Sequence, residues 1–212
     1  MRIVVFGAGG KMGTRIAREA ATRGHQVVAV ARNDAALADL PDSVERTAGD
    51  VLDADVVGAL ATGADAVVLT VGGPGRTLYR EAAEPALTAL GRLDDAPRVI
   101  HFGGGASLLT PDGTPFLDTP EFPAAWVDPA GGQADALASY RASDIGVHWT
   151  FFSPPPKSFT VGERTGRYRL GKDEPVYDAD GNAALSYEDA AVAIVDEIEN
   201  GAFVDQRFTA GY

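Results

Sequence analysis

Four apolar residues, Ile3-Val4-Val5-Phe6, run without a polar interruption into Gly7-Ala8-Gly9-Gly10-Lys11-Met12-Gly13. A strand that is apolar at every position is buried on both faces. It therefore belongs in a parallel sheet covered by helices on each side. The segment that follows, Lys11–Arg23, carries Ile16, Ala17, Ala20 and Ala21 on one side and meets Gly24 as its stop, which predicts a helix.

The pattern then repeats. Gln26–Ala31, Val44–Ala48, Ala66–Val71, Arg98–Phe102 and His148–Ser153 read as further strands. Asp34–Leu40, Ala54–Ala61 capped by Asp53, Arg76–Leu93 with Pro85 inside it, and Gln133–Ser143 read as helices between them. Strands alternating with helices imply right-handed βαβ crossovers and an α/β fold, a Rossmann-type doubly wound parallel sheet. At 212 residues the chain fits a single domain, 1–212, since single domains run to roughly 250 residues.

Beyond the fifth strand the alternation breaks. Residues 108–132, with several prolines and aspartates and Trp126, read as an active-site loop, because long loops in compact domains are usually functional. Residues 155–185 are polar and turn-rich and read as a small C-terminal substrate lobe. Short strand candidates lie there at Tyr168–Leu170 and Pro175–Tyr177. A last helix, Tyr187–Glu199, follows the capping box Ser186-x-x-Asp189, and Arg207–Ala210 reads as a final strand.

Eighteen Lys and Arg stand against thirty Asp and Glu, a net charge of −12, a field that repels phosphodiester backbones and argues against nucleic acid as a partner. No cysteine is present, and the three histidines (His25, His101, His148) show no metal-ligand spacing, so no metal site is expected. The first apolar run is too short for a signal peptide and no stretch reaches the ~18 apolar residues of a membrane span. A cytoplasmic protein acting on a small-molecule substrate, with no membrane partner, is the expectation.

The chemistry concentrates in the glycines. They stand at 7, 10 and 13, a G-x-x-G-x-x-G spacing between strand and helix, where a dinucleotide fold places its phosphate turn. Gly7 permits the tight turn, Gly10 lets the backbone approach a pyrophosphate, and Gly13 allows close packing of helix on sheet. Gly9, Lys11 and Met12 complete the turn, and the helix start offers free N–H groups and a positive dipole end. The plainer alternative is a glycine turn with a structural role only.

The second strand ends in Arg32-Asn33 rather than in the acidic residue that binds the ribose hydroxyls of NAD. A guanidinium suits a 2′-phosphate, so NADP is the expected cofactor and NAD the alternative. Asp34 is open to two readings, ribose ligand or helix cap. Asp50 and Val51, after the third strand, would lie beside the adenine, although Asp50 reads equally as a turn aspartate. Thr70, Val71, Gly72 and Gly73 end the fourth strand on the ribose and nicotinamide side. Gly72–Pro74, Gly103–Leu108 and Ser153–Lys157 are the segments expected at the substrate edge, with Pro154 among the substrate contacts.

These segments resemble the atypical short-chain dehydrogenases, the NmrA-like NAD(P)-binding group. The second half is similar to the bacterial NADH-flavin reductase-like proteins. It matches them in Gly104-Gly105-Ala106-Ser107-Leu108, Asp118-Thr119-Pro120-Glu121-Phe122-Pro123, Trp149-Thr150-Phe151-Phe152-Ser153-Pro154 and Gly162-Glu163-Arg164-Thr165-Gly166-Arg167-Tyr168. Asp178-Ala179-Asp180-Gly181, Ser186-Tyr187-Glu188-Asp189 and Gln206-Arg207-Phe208-Thr209 extend the likeness to nearly the whole chain. The resemblance implies a Rossmann-type sheet, NAD(P) binding and oxidoreductase activity.

One departure matters. Short-chain dehydrogenases generally use Tyr-x-x-x-Lys for proton transfer. Here the tyrosine of the relevant helix is Tyr140, four residues before Asp144, and neither Lys157 nor Lys172 is spaced to a tyrosine in that way. Tyr140 therefore reads as a packing residue. Ser107 is the remaining catalytic candidate, weighed against a serine bonding its own loop. Trp126 reads as a substrate-stacking or packing residue, and His101 as a buried, satisfied histidine. Arg164, Arg167 and Arg169 would attract an anion or, as the favoured reading, pair on the surface with Glu163 and Asp173.

The expected function is an NAD(P)H-dependent oxidoreductase passing hydride from NADPH to a flat acceptor such as a flavin or quinone. The alternatives are a non-catalytic NADP-responsive regulator of the NmrA kind and a pathway-specific reductase of one specialised metabolite.

Overall fold

The computed structural model describes residues 1–73 and 75–212; Pro74 of the expected substrate edge lies outside the described residues. The first half runs β1 (Arg2–Phe6), α1 (Lys11–Thr22), β2 (Gln26–Ala31), β3 (Glu45–Ala48), α2 (Ala54–Ala61), β4 (Ala66–Leu69), α3 (Leu78–Leu90) and β5 (Arg98–Phe102). The second half runs α4 (Val127–Ala142), β6 (Trp149–Phe152), β7 (Ser158–Thr160), β8 (Arg169–Gly171), β9 (Ala184–Ser186), α5 (Tyr187–Asn200) and β10 (Gln206–Gly211).

Eight strands form one sheet in the order β3-β2-β1-β4-β5-β6-β10-β8. All pair in parallel except β8, which lies antiparallel on β10. The chain winds outward from β1 to β3, then returns to β1 and winds the other way through β4. That reversal is the doubly wound topology, and it opens a crevice outside the carboxyl ends of β1 and β4. β7 and β9 pair separately, in parallel.

Successive residues of the central strands feed opposite layers. Ile3 and Val5 pack with Ile16, Ala20, Ile194 and Ile198 of α1 and α5, whereas Val4 and Phe6 pack with Val57, Ala83, Leu87 and Leu137 of α2, α3 and α4. Two buried faces explain why β1 has no polar alternation. No helix among the described residues is long and apolar enough to cross a membrane.

The local signals give boundaries close to those expected, with instructive exceptions. Asp34–Leu37 is one 3-10 turn rather than a helix reaching residue 40, and its cap is Asn33, whose Oδ1 accepts from Ala35 N at 2.9 Å. Asp34 is not the cap. α4 begins at Val127, six residues before the expected start. Pro129 falls in its first turn, where a missing N–H costs nothing. Gly131 and Gly132 do not break the helix; they let it approach the start of α3. A Cβ on Gly132 would stand 2.1 Å from Arg76 O.

Pro175–Tyr177 forms no strand, whereas the Tyr168–Leu170 candidate is found as β8, paired on β10, and β7 and β9 add a further pair. Arg164 reaches Glu19 of α1 at 2.7 Å, not Glu163 or Asp173, and this contact holds the Glu19 carboxyl below its usual pKa. The far end of the sheet carries a buried pair, Arg98 Nη1 to Glu197 Oε1 at 2.7 Å. That carboxylate also accepts from the backbone N–H groups of Ala202 and Phe203.

Candidate active site

The turn after β1 is built by backbone packing. Gly7 holds φ +78, a conformation open to glycine at little cost, and its N–H and that of Ala8 both donate to Val30 O of β2. A Cβ on Gly7 would meet Thr70 O at 2.6 Å, one on Gly9 would meet Ala36 Cβ at 2.6 Å, and one on Gly13 would stand 2.2 Å from Gly7 O. Gly10 precedes α1 in extended backbone with no side-chain cap. The first-turn N–H groups of α1 are thus left without a side-chain cap beside the crevice, the arrangement that binds phosphate at helix starts.

These elements enclose a cleft of about 300 Å³. Gly7, Gly9 and Gly10 form its floor beside Phe6, Arg32 and Asn33 stand at one end, Gly49, Asp50, Val51 and Leu52 line one wall, and Thr70, Val71, Gly72 and Leu78 close the other. Arg32 is exposed, with no ion-pair partner among the described residues. Asp50 Oδ1 accepts from Leu52 N at 3.0 Å in an Asx turn, while Asp53 caps α2. Thr70 Oγ1 donates to Phe6 O at 2.7 Å, locking the end of β4 onto β1. A dinucleotide fits this donor set: N–H groups for a pyrophosphate, an apolar wall for a base, and a cation beyond the second strand.

Four of the expected cofactor residues lie outside the lining. Lys11 is exposed on the first position of α1, while Met12 and Gly13 are buried under the turn. Gly73 is tied by its carbonyl to Tyr79 Oη at 2.8 Å. The expected substrate residues sit apart as well. Ser107 accepts from Arg207 Nη1 through its carbonyl at 2.9 Å and its hydroxyl at 3.1 Å, and Arg207 in turn pairs with Asp173. Burial lowers the Arg207 pKa against the pull of Asp173. Trp126 is 64% exposed just before α4. Pro154 abuts the turn after β5, where a Cβ on Gly105 would come 2.1 Å from Pro154 O.

Residues 7–201 match the NAD(P)H-binding family. The chain belongs to that family. It is 34% identical to the uncharacterized protein YwnB of Bacillus subtilis, over 99% of this chain and 97% of that one. Among solved structures, a Burkholderia pseudomallei protein provisionally described as exported is 36% identical with a TM-score of 0.89, each chain covered completely. A Streptococcus pneumoniae protein provisionally described as an NADH-flavin reductase is 30% identical with a TM-score of 0.88, covering 100% of this chain and 99% of that one. The family is one that binds NAD(P)H, and the cleft is this chain's candidate place for such a cofactor.

Sequence reasoning missed three residues of the neighbouring edge. Arg207 sits in a buried strand, and a guanidinium inside an apolar run signals a buried acceptor. Asp173, its acceptor, lies in an irregular stretch with no local mark. Gln133 has no sequence signature; its place emerges only from its contact with His101, 32 residues away, at 3.3 Å. His101 itself is fully buried and hydrogen-bonded, as the sequence led one to expect. Tyr140 is buried at 1% exposure beside it.

Proposed function

We propose that the chain is an NADPH-dependent reductase passing hydride to a flat acceptor of the flavin or quinone kind. The observation that carries this reading is the environment of Tyr140. Its hydroxyl is buried against His101 Nδ1 at 3.1 Å, burial pushes its pKa upward, and Asp144 stands where a dehydrogenase places its lysine. No strong proton donor of the Tyr/Lys type is then at hand, which suits acceptors whose rings take hydride directly while solvent supplies the proton.

A reduced nicotinamide supplies the hydride when bound. With one proton from water, the acceptor would gain two electrons and two hydrogens. The chain's own part is to hold phosphates at α1, to hold the 2′-phosphate at Arg32, and to align two flat rings at the ends of β4 and β5. The Streptococcus relative's description as an NADH-flavin reductase supports this acceptor class.

The test is NADPH oxidation, followed by loss of the reduced nicotinamide's near-ultraviolet absorbance, across flavins, quinones and simple carbonyl compounds. Turnover with flavins or quinones well above that with carbonyls is expected. Equal, slow background oxidation with every acceptor would overturn the reading in favour of a non-catalytic NADP-responsive regulator, which the missing Tyr/Lys pair also favours.

A further inference from the structure

We propose that Gln133 presents its amide N–H groups to a carbonyl oxygen or ring nitrogen of the acceptor, and that Tyr140 and His101 lie behind it as positioning residues fixing the amide's orientation. The proposal rests on the reductase reading.

A count of protons carries it. His101 lies in β5 between its register partners Leu69 of β4 and Phe151 of β6, stacked on the Phe151 ring at 4.9 Å and with no exposed surface. That burial pushes the imidazole pKa down to about 4, so near neutral pH the ring is uncharged and has one donor and one acceptor nitrogen. Tyr140 keeps its proton, and His101 Nδ1 is the partner of its buried hydroxyl among the described residues. A buried O–H donates where an acceptor is available, so Nδ1 accepts and the ring proton sits on Nε2.

Nε2–H therefore donates to Gln133, and the atom it meets at 3.3 Å is Oε1. With the oxygen turned inward to His101, the amide nitrogen is turned away from it, and it has no partner among the described residues. The same side chain lies over the end of β5. A Cβ on Gly104 would stand 3.1 Å from both Cβ and Cγ of Gln133. Its neighbour Gly132 presses on Arg76 O and Tyr79, and Tyr79 holds Gly73 of the β4 end. Gln133 thus stands one strand along from Thr70 and Gly72 of the dinucleotide cleft, on the edge where an acceptor ring must meet the nicotinamide. An amide polarises a carbonyl without giving up a proton, as the absence of a Tyr/Lys pair requires.

The tautomer is read by NMR of the protein with 15N-labelled histidine, and the contact by steady-state kinetics with NADPH and flavin mononucleotide or a benzoquinone. The wild type should show the Nε2–H tautomer at His101, and Tyr140→Phe should move the Nδ1 resonance, which loses its donor, while Nε2 stays protonated on Gln133 Oε1. Gln133→Leu should raise the acceptor KM about tenfold, the worth of one ordinary hydrogen bond, with NADPH Kd within twofold. Tyr140→Phe should raise the same KM by a smaller factor. An Nδ1–H tautomer in the wild type overturns the relay. A wild type that turns over, with Gln133→Leu at an unchanged acceptor KM, overturns the role of Gln133 alone. A wild type that fails to oxidise NADPH with any of these acceptors overturns the reductase reading and the role of Gln133 together.

Discussion

The two halves of the sheet edge are built from different materials. From β3 to β4 the cleft is made of backbone: a glycine turn, a helix start and strand ends, with Arg32 as its exposed cation. From β5 to β10 the edge is made of side chains that meet across long stretches of sequence, as in Ser107–Arg207–Asp173 and His101–Gln133. A backbone site serves any ligand with the right phosphates, and so it suits a cofactor shared by a whole family. A side-chain site changes with each substitution, and so it suits an acceptor that differs between members.

The contrast makes the second half the more fragile, and the largest effect should fall there. Arg98→Met strands the 3%-exposed Glu197 carboxylate with no cationic partner, leaving it only backbone N–H groups and the Thr150 hydroxyl at 3.4 Å, and removes the Nη2 bond to Glu197 O at 2.6 Å. Losing one partner of a buried pair costs about 3–5 kcal/mol. Urea unfolding should show that loss while NADPH affinity of the folded fraction stays unchanged. A loss below about 1 kcal/mol would mean the pair behaves as a surface bridge.

The next effect belongs to the cofactor half and acts on binding. Arg32→Ala should weaken NADPH by about 1.5–3 kcal/mol, the range for a charged hydrogen bond, and leave NADH nearly unchanged. Calorimetric titration with equal losses for both nucleotides would remove Arg32 from the 2′-phosphate.

The same contrast governs what the sequence discloses. Strand β1, the glycine turn and α1 are visible because each depends on neighbours a few residues away: apolar runs, a helical stripe, a stop glycine. β2, β5 and α2 are expected with the bounds found for that reason. α4 is misjudged at its start because Gly131 and Gly132 usually weaken a helix, and the reason for them, close contact with the guanidinium and carbonyl of Arg76, lies elsewhere in the chain. β7 and β9 escape notice because three-residue strands paired across 26 residues leave no periodicity. Gln133 escapes because an amide becomes a site residue only through the histidine beside it.

A pH-dependent effect comes from the buried histidine, and its sign is fixed by linkage. The native His101 pKa is depressed to about 4 from 6.5. Below pH 6.5 the unfolded chain binds a proton there that the native state refuses until about pH 4. Unfolding then takes up a proton, so the stability contributed by neutral His101 is full above pH 6.5 and falls with pH through that window, by up to about 1.4 kcal/mol per unit. His101→Phe should flatten this part of the stability profile. An unchanged slope between pH 6.5 and 4 would place the proton uptake on other groups.

The smallest effect on folding, and the one that most sharpens the contrast, concerns Ser107 and Trp126. Trp126 is 64% exposed, so Trp126→Ala leaves little packing behind and should change stability by no more than about 0.5 kcal/mol. Ser107→Ala removes the 3.1 Å contact from Arg207 but keeps the 2.9 Å contact to the Ser107 carbonyl, so Arg207 stays tethered and the stability cost should again be small, about 1 kcal/mol or less. Neither residue lines the dinucleotide cleft, so NADPH affinity should stay within about twofold, roughly 0.4 kcal/mol, in both variants. If the acceptor side is a side-chain site, each change should appear in acceptor KM or kcat alone. Wild-type kinetics for both with a genuine acceptor would shift the pocket away from Ser107 and Trp126 toward the edge at Gly104. A shared loss of NADPH affinity would join the two halves into one site, and the division between a backbone-built and a side-chain-built edge would fail.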